Sequence, residues 1–162
     1  MPITPFHFGP GAALNSVAPR EISFIAFCAA NVLVDIEPLY YMLTGQFPLH
    51  RFFHTYVGVS IVIACTIAIY LAMLRLSAVM PLPNLLGWKQ LSTRSVVVGA
   101  ALGGYSHILL DSVMHGDIAP LAPFTASNPL LLIVSLRSLH WFCLGSGMVG
   151  LAIVGLRRVA RK

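Results

Sequence analysis

The stretch GGYSHILLDSVMHGD, residues 103–117, sets polar side chains at intervals of four in a chain that is otherwise apolar. His107, Asp111 and His115 follow one another by one helical turn, so on an α-helix they share a face. Gly103 and Gly104 precede them, and small residues there let a second helix approach closely. The stretch is either a polar decoration of a helix or half of a metal site.

The composition around it decides where such a helix lives. The chain has 162 residues, of which 57% are hydrophobic and 9% charged. A soluble domain carries roughly 25% charged residues, so this chain cannot cover a water-facing surface with charge. It reads as one membrane-embedded domain, 1–162. The net charge of +5 does not point to nucleic acid, because the basic residues are scattered and no basic stripe with interleaved aromatics occurs. The one basic cluster, Arg157, Arg158, Arg161 and Lys162, follows an apolar run and reads as a cytoplasmic anchor. Cys28, Cys65 and Cys143 lie far apart in apolar runs and read as small core residues. The opening lacks the basic and continuous apolar regions of a signal peptide, so no cleavage is expected.

Four segments can cross a bilayer, which takes about 20 mostly apolar residues. They are 22–42, 53–74, 95–114 and 139–156. The predicted fold class is therefore all-α, an integral membrane bundle of about four transmembrane helices. The connection after residue 117 is long, apolar and interrupted by Pro120, Pro123 and Pro129, which rules out a regular span and suggests a re-entrant or interfacial cover. Arg20, then Arg75, Lys89 and Arg94, then the C-terminal cluster mark one side of the bilayer; only Arg51 and Arg137 mark the other. The positive-inside rule puts both termini in the cytoplasm.

On this topology the polar residues converge. Asp111 stands about 25 Å from Arg94 along a helix that rises ~1.5 Å per residue, near the outer edge of the ~30 Å hydrocarbon core. Asp35 reaches a similar depth on the first span. His50 and His54 stand at the outer start of the second, and His140 at the outer start of the fourth. All four spans thus deliver a polar group to one level. A carboxylate at the centre of a bilayer helix costs ~2.5–3.5 kcal/mol on insertion scales, so Asp35 and Asp111 need partners, and histidines are the abundant ones. Imidazole and carboxylate together suit zinc or a similar divalent ion such as manganese. Such an ion lowers the pKa of water toward 7, and a remaining carboxylate can serve as base. Glu37 is two residues from Asp35 and points the other way on a regular helix, unless the chain kinks at Pro38 and brings both acids inward. Asp117 follows Gly116 and reads as a turn cap. Tyr40, Tyr41, Met42 and Trp141 read as an interfacial belt.

Four pieces in order carry a resemblance: MPITPFHFGPG at the start, VDIEPLYY, LHRFFHT, and SHILLDSVMHGDIAPLAPF. The chain resembles the YdjM-like membrane-bound, metal-dependent hydrolases, over most of its length. More remotely it is similar to the all-helical zinc-dependent phospholipase C and P1 nuclease group, whose clustered His and Asp side chains hold zinc. The resemblance implies His7, Asp35, His54, His107 and Asp111 as leading metal ligands, with His50 and His115 next. It implies a bacterial cytoplasmic membrane. The further His-x-x-x-Glu ligand pair of the remote group has no counterpart, since Leu144 stands four residues after His140. His7 conflicts with the topology, which puts it on the cytoplasmic side. Either the N-terminal segment folds back as a re-entrant half-helix, its Gly9, Pro10 and Gly11 permitting the bend, or His7 is no ligand.

The expected function is a metal-dependent hydrolase of a lipid-like phosphoester. His7, Asp35, His50, His54, His107 and Asp111 form the metal set, and Glu37 and His115 the acid–base candidates. Two other readings stand beside it: a proton or divalent-cation transporter, in which intramembrane Asp and His form a relay, and a non-enzymatic scaffold whose polar cluster ties helices together. The bilayer is the expected partner; the oligomeric state is left open.

Overall fold

A computed structural model of the chain describes residues 5–160; Arg161 and Lys162, counted above for orientation, lie outside the described residues. Among the described residues six α-helices form: α1 Phe8–Val17, α2 Phe24–Val34, α3 Ile36–Leu43, α4 Tyr56–Leu76, α5 Thr93–Met114 and α6 Leu136–Val159. No strand occurs among the described residues. Four helical segments are long and apolar enough to cross a membrane: Phe24–Leu43, Tyr56–Leu76, Thr93–Met114 and Leu136–Val159. They coincide with the four expected spans to within three residues at each end. Their starts are chemically marked, because Ser23, Thr55, Ser92 and Ser135 each accept a hydrogen bond from the backbone N–H three residues on.

The first span is α2 and α3 joined through Asp35, whose φ of −73° and ψ of −7° loosen the helix without ending it. Pro38 does not break α3. It sits in the first turn, where its missing N–H has no intrahelical partner to lose. The loosened turn lets Asp35 and Glu37 face the same interior, as a regular helix would not.

Two contacts set the packing. The first joins α2 to α5. A Cβ at Gly103 would collide with the backbone of Phe27, and the N–H of Ser23 donates to the carbonyl of Ser95. Val34, Val59, Val96, Ala100 and Ile108 are fully buried between α2, α4 and α5, and Phe27 is buried with its ring against Gly11 of α1. The second contact joins α1 to α6. A Cβ at Gly9 would run into the carbonyl of Cys143, and one at Gly150 into Ala12. At the far end of α1 the Arg157 guanidinium donates to the carbonyls of Ser16 and Val17, satisfying the end of that helix. The N-terminal segment therefore does fold back into the bundle, and it carries His7 to a buried position.

The proline-rich connection forms turns that close over one end of the bundle. Ile118 and Pro120 are buried, the Pro120 carbonyl accepts from the N–H of Tyr56, and the Asn128 amide donates to the carbonyls of Ser112 and His115. Of the cysteines only Cys143 is a core residue; Cys28 is half-buried and Cys65 points outward from α4.

Replacing Gly103 by valine should cost about 1–3 kcal/mol or more, because the added atoms meet backbone that cannot step aside. The check is thermal unfolding in detergent: Gly103→Val should melt well below the parent. Gly145→Val should melt with it, since nothing lies within 4 Å of a Cβ at Gly145.

Candidate metal centre

Three elements and the N-terminal segment meet where the proline-rich connection closes the bundle. Asp35 comes from the α2–α3 junction, His54 from the 3-10 turn Phe52–His54 ahead of α4, and His107 and Asp111 from successive turns of α5. All four are buried, and one ligand atom from each lies within 4.8 Å of the others. The individual separations are short. His107 Nε2 is 3.3 Å from Asp35 Oδ1 and 3.3 Å from Asp111 Oδ2. His54 Nε2 is 3.6 Å from Asp111 Oδ2 and 3.8 Å from Asp35 Oδ1.

These distances are informative because they are not hydrogen bonds. Six buried side-chain atoms among the described residues lack a hydrogen-bond partner, and five of them belong to this cluster: His7 Nε2, His54 Nδ1, His54 Nε2, His107 Nε2 and Asp111 Oδ1. Leaving such an atom unsatisfied costs about 1–3 kcal/mol. The nitrogens and oxygens crowd together, and four of the unpartnered atoms are imidazole nitrogens. Two donors held 2.0–2.1 Å from one tetrahedral ion stand about 3.3–3.4 Å apart, which is the spacing seen around His107. The cluster could hold a divalent ion, and its donors are nitrogen and oxygen only.

A second group shares Asp111. His50, Asp111 and His115 also place ligand atoms within 4.8 Å of one another. The His50 and His115 rings stack, with centroids 4.4 Å apart. His50 is steered from behind: its Nδ1–H donates to Asp117 Oδ1 at 2.9 Å, and the backbone N–H groups of Leu49 and His50 donate to Asp117 Oδ2. Burial pushes the His50 imidazole below its ordinary pKa, the neighbouring His54 adds to this, and Asp117 pulls the other way. Partial burial raises Asp117, but the hydrogen bonds from the His50 ring and from the backbone more than offset it and hold the carboxyl below its usual range. The pair is thus a neutral imidazole on a carboxylate, with Nε2 of His50 left to face the cluster. Asp117, expected from the sequence as a turn cap, reaches back 67 residues to His50.

Glu37 plays a similar part toward His54. Its Oε2 accepts from the N–H of Arg51 and of Phe53, which braces the turn that carries His54, and it lies 3.8 Å from His54 Nδ1. His7 sits beside the four-residue group. Its Nε2 is 3.2 Å from Asp111 Oδ1, the oxygen turned away from His54 and His107. His140 does not join: α6 sets its ring 5.0 Å from that of Phe6. The expectation that all four spans supply the polar level is corrected accordingly. The folded-back N-terminus takes the place expected of α6, because the glycine contacts seat α1 between α6 and the centre. Sequence reading missed Asn31, whose side chain touches His107; an Asn at the spacing of four before Asp35 was the only signal.

Two cavities open beside the centre and share Pro48, His50 and Asp117. One, of about 660 Å³, also reaches His115. The other, of about 410 Å³, adds Arg51 and the apolar Phe52, Val57 and Pro123. Arg51 is held by stacking on Tyr41 at 3.7 Å and by donating to the carbonyls of Phe47 and Pro48. Comparison of the chain with protein-family models, with curated proteins and with solved structures finds no match.

Elemental analysis of the zinc-reconstituted protein checks this arrangement. His54→Ala and Asp35→Ala should each lose the zinc that the parent holds stoichiometrically, while His140→Ala should keep it.

Proposed function

We propose that the chain is a membrane-bound, metal-dependent hydrolase that cleaves a phosphoester of a lipid-like substrate. The observation that carries this reading is the gathering of Asp35, His54, His107 and Asp111, with ligand atoms within 4.8 Å of one another and imidazole nitrogens left without hydrogen-bond partners. A set of nitrogen and oxygen donors suits zinc, with manganese the next choice. The order of the His and Asp pieces along the chain, similar to that of the YdjM-like hydrolases, supports the same reading.

When bound, a divalent ion in this cluster supplies Lewis acidity toward a phosphoryl oxygen and lowers the pKa of water. The protein's own groups do the rest. Asp35, His54, His107 and Asp111 would hold one ion, and His50, Asp111 and His115 could hold another; such ions would supply charge stabilisation at a phosphoryl group. His115 is half-buried at the rim of the larger cavity, where it can take up a proton from water or join His50 as a ligand. Glu37 is less suited to proton transfer, because two backbone N–H groups already engage it. Arg51 gives the smaller cavity a fixed cation for a phosphate oxygen, and Phe52, Val57 and Pro123 give it apolar walls for a chain. Phe47 and Phe124 project from the same end with 79% and 86% of their surface exposed, as residues at a bilayer interface do. With the basic ends of the spans in the cytoplasm, the centre faces the outer side of a bacterial cytoplasmic membrane.

The test is phosphate release by the purified protein in detergent, from an aryl phosphodiester, an aryl phosphomonoester and a phospholipid. The parent should turn over at least one of them, lose the activity to a chelator and regain it with zinc. Asp111→Ala should fall to background. A parent loaded with zinc yet inert toward all three, or an Asp111→Ala variant as active as the parent, would contradict the reading.

A further inference from the structure

Asn31 lies on α2, fully inside the bundle, at 2% exposure. Its amide group is fixed by its surroundings. Nδ2 donates to the carbonyl of Phe27 at 2.9 Å and to that of Gly103, on α5, at 3.2 Å. Both neighbours are carbonyl oxygens and can only accept, so the nitrogen must be on that side. Oδ1 is then the atom that faces His107 Nδ1, at 3.0 Å. An amide oxygen cannot donate, so the proton of that bond belongs to His107 Nδ1.

The consequence runs across the ring. A neutral imidazole carries one proton. With it on Nδ1, His107 presents the lone pair of Nε2, and Nε2 is the atom 3.3 Å from the oxygens of both Asp35 and Asp111. A lone pair this close to two carboxylate oxygens is repulsive until a cation stands among them. The same proton also bears on His7, whose Nδ1 is 3.2 Å from His107 Nδ1.

We propose that Asn31 is a positioning residue for the metal centre: its side-chain oxygen holds the proton of His107 on Nδ1 and so makes Nε2 the metal ligand. The inference rests on the metal-binding reading above. Groups that orient ligating histidines in this way typically account for 10–100-fold in metal affinity. Asn31 also ties α2 to α5 through Gly103, so its loss has a structural effect that must be separated from the effect on His107.

Two substitutions separate them. Asn31→Asp keeps an oxygen for His107 Nδ1 but loses both donations to carbonyls. Asn31→Leu loses everything at similar volume. Zinc affinity is measured by competition with a chelator, and thermal unfolding is followed on the metal-free proteins. The two variants should lower the metal-free melting temperature alike. Only Asn31→Leu should weaken zinc binding, by roughly 10–100-fold, with Asn31→Asp at or above the parent. In the zinc-loaded parent, labelled with ¹⁵N-histidine, His107 should carry its proton on Nδ1. Equal weakening in both variants, unchanged zinc affinity in Asn31→Leu, or a His107 proton on Nε2 would each overturn the proposal. A parent that takes up no zinc would instead remove the metal reading itself.

Discussion

Buried carboxylates in an apolar bundle are the constraint on which the rest depends. Asp35 and Asp111 stand at 5% and 3% exposure, in a chain too poor in charge to surround them with cations. Charged groups in membrane segments are costly and persist where something compensates them. Here the neighbours of Asp111 are the imidazoles of His7, His54 and His107. Four of the five acids and five of the six histidines of the chain lie in one connected cluster. The acids and histidines of the protein are gathered almost wholly at one place, and most of the remainder of the spans is apolar packing around it.

That packing is arranged to bring the cluster together. Gly103 lets α2 lie against α5, which sets Asp35 beside His107 and Asp111. Gly9 and Gly150 let α1 lie against α6, which brings His7 in from a segment too short to cross a bilayer. The loosened turn at Asp35 gives the first span two inward-facing acids where a straight helix would give one. The acids then divide by environment: Asp35 and Asp111 face imidazole Nε2 atoms, whereas Glu37 and Asp117 brace backbone turns and stand on the Nδ1 side of His54 and His50. Asn31 stands on the Nδ1 side of His107. Each of the three histidines thus has an oxygen behind it.

Much of this was legible in the residues. The apolar runs marked the spans because bilayer thickness fixes their length, and the spacing of four in His107, Asp111 and His115 marked the face of α5. Depth put Asp35, His50, His54, His107, Asp111 and His140 at one level, since they stand about equally far from the basic helix ends, and the resemblance narrowed the ligand set to include Asp35, His54, His107 and Asp111. Depth could not say which way a side chain turns. That is why His140, at the right level, packs on Phe6 instead. The positions of Asn31 and Asp117 were not legible either: both act through hydrogen bonds to residues 76 and 67 positions away, and nothing local in the sequence announces such a partner. The fold-back of α1 was posed by the conflict over His7 and is answered by contacts between glycine faces.

X-ray absorption at the zinc edge of the reconstituted, detergent-purified protein tests the central claim most directly. The account predicts stoichiometric zinc with only nitrogen and oxygen neighbours at about 2.0–2.1 Å, together with the outer-sphere pattern of several imidazoles. A protein that retains no zinc, or zinc with sulfur at about 2.3 Å, would contradict it and leave the cluster as a means of joining helices.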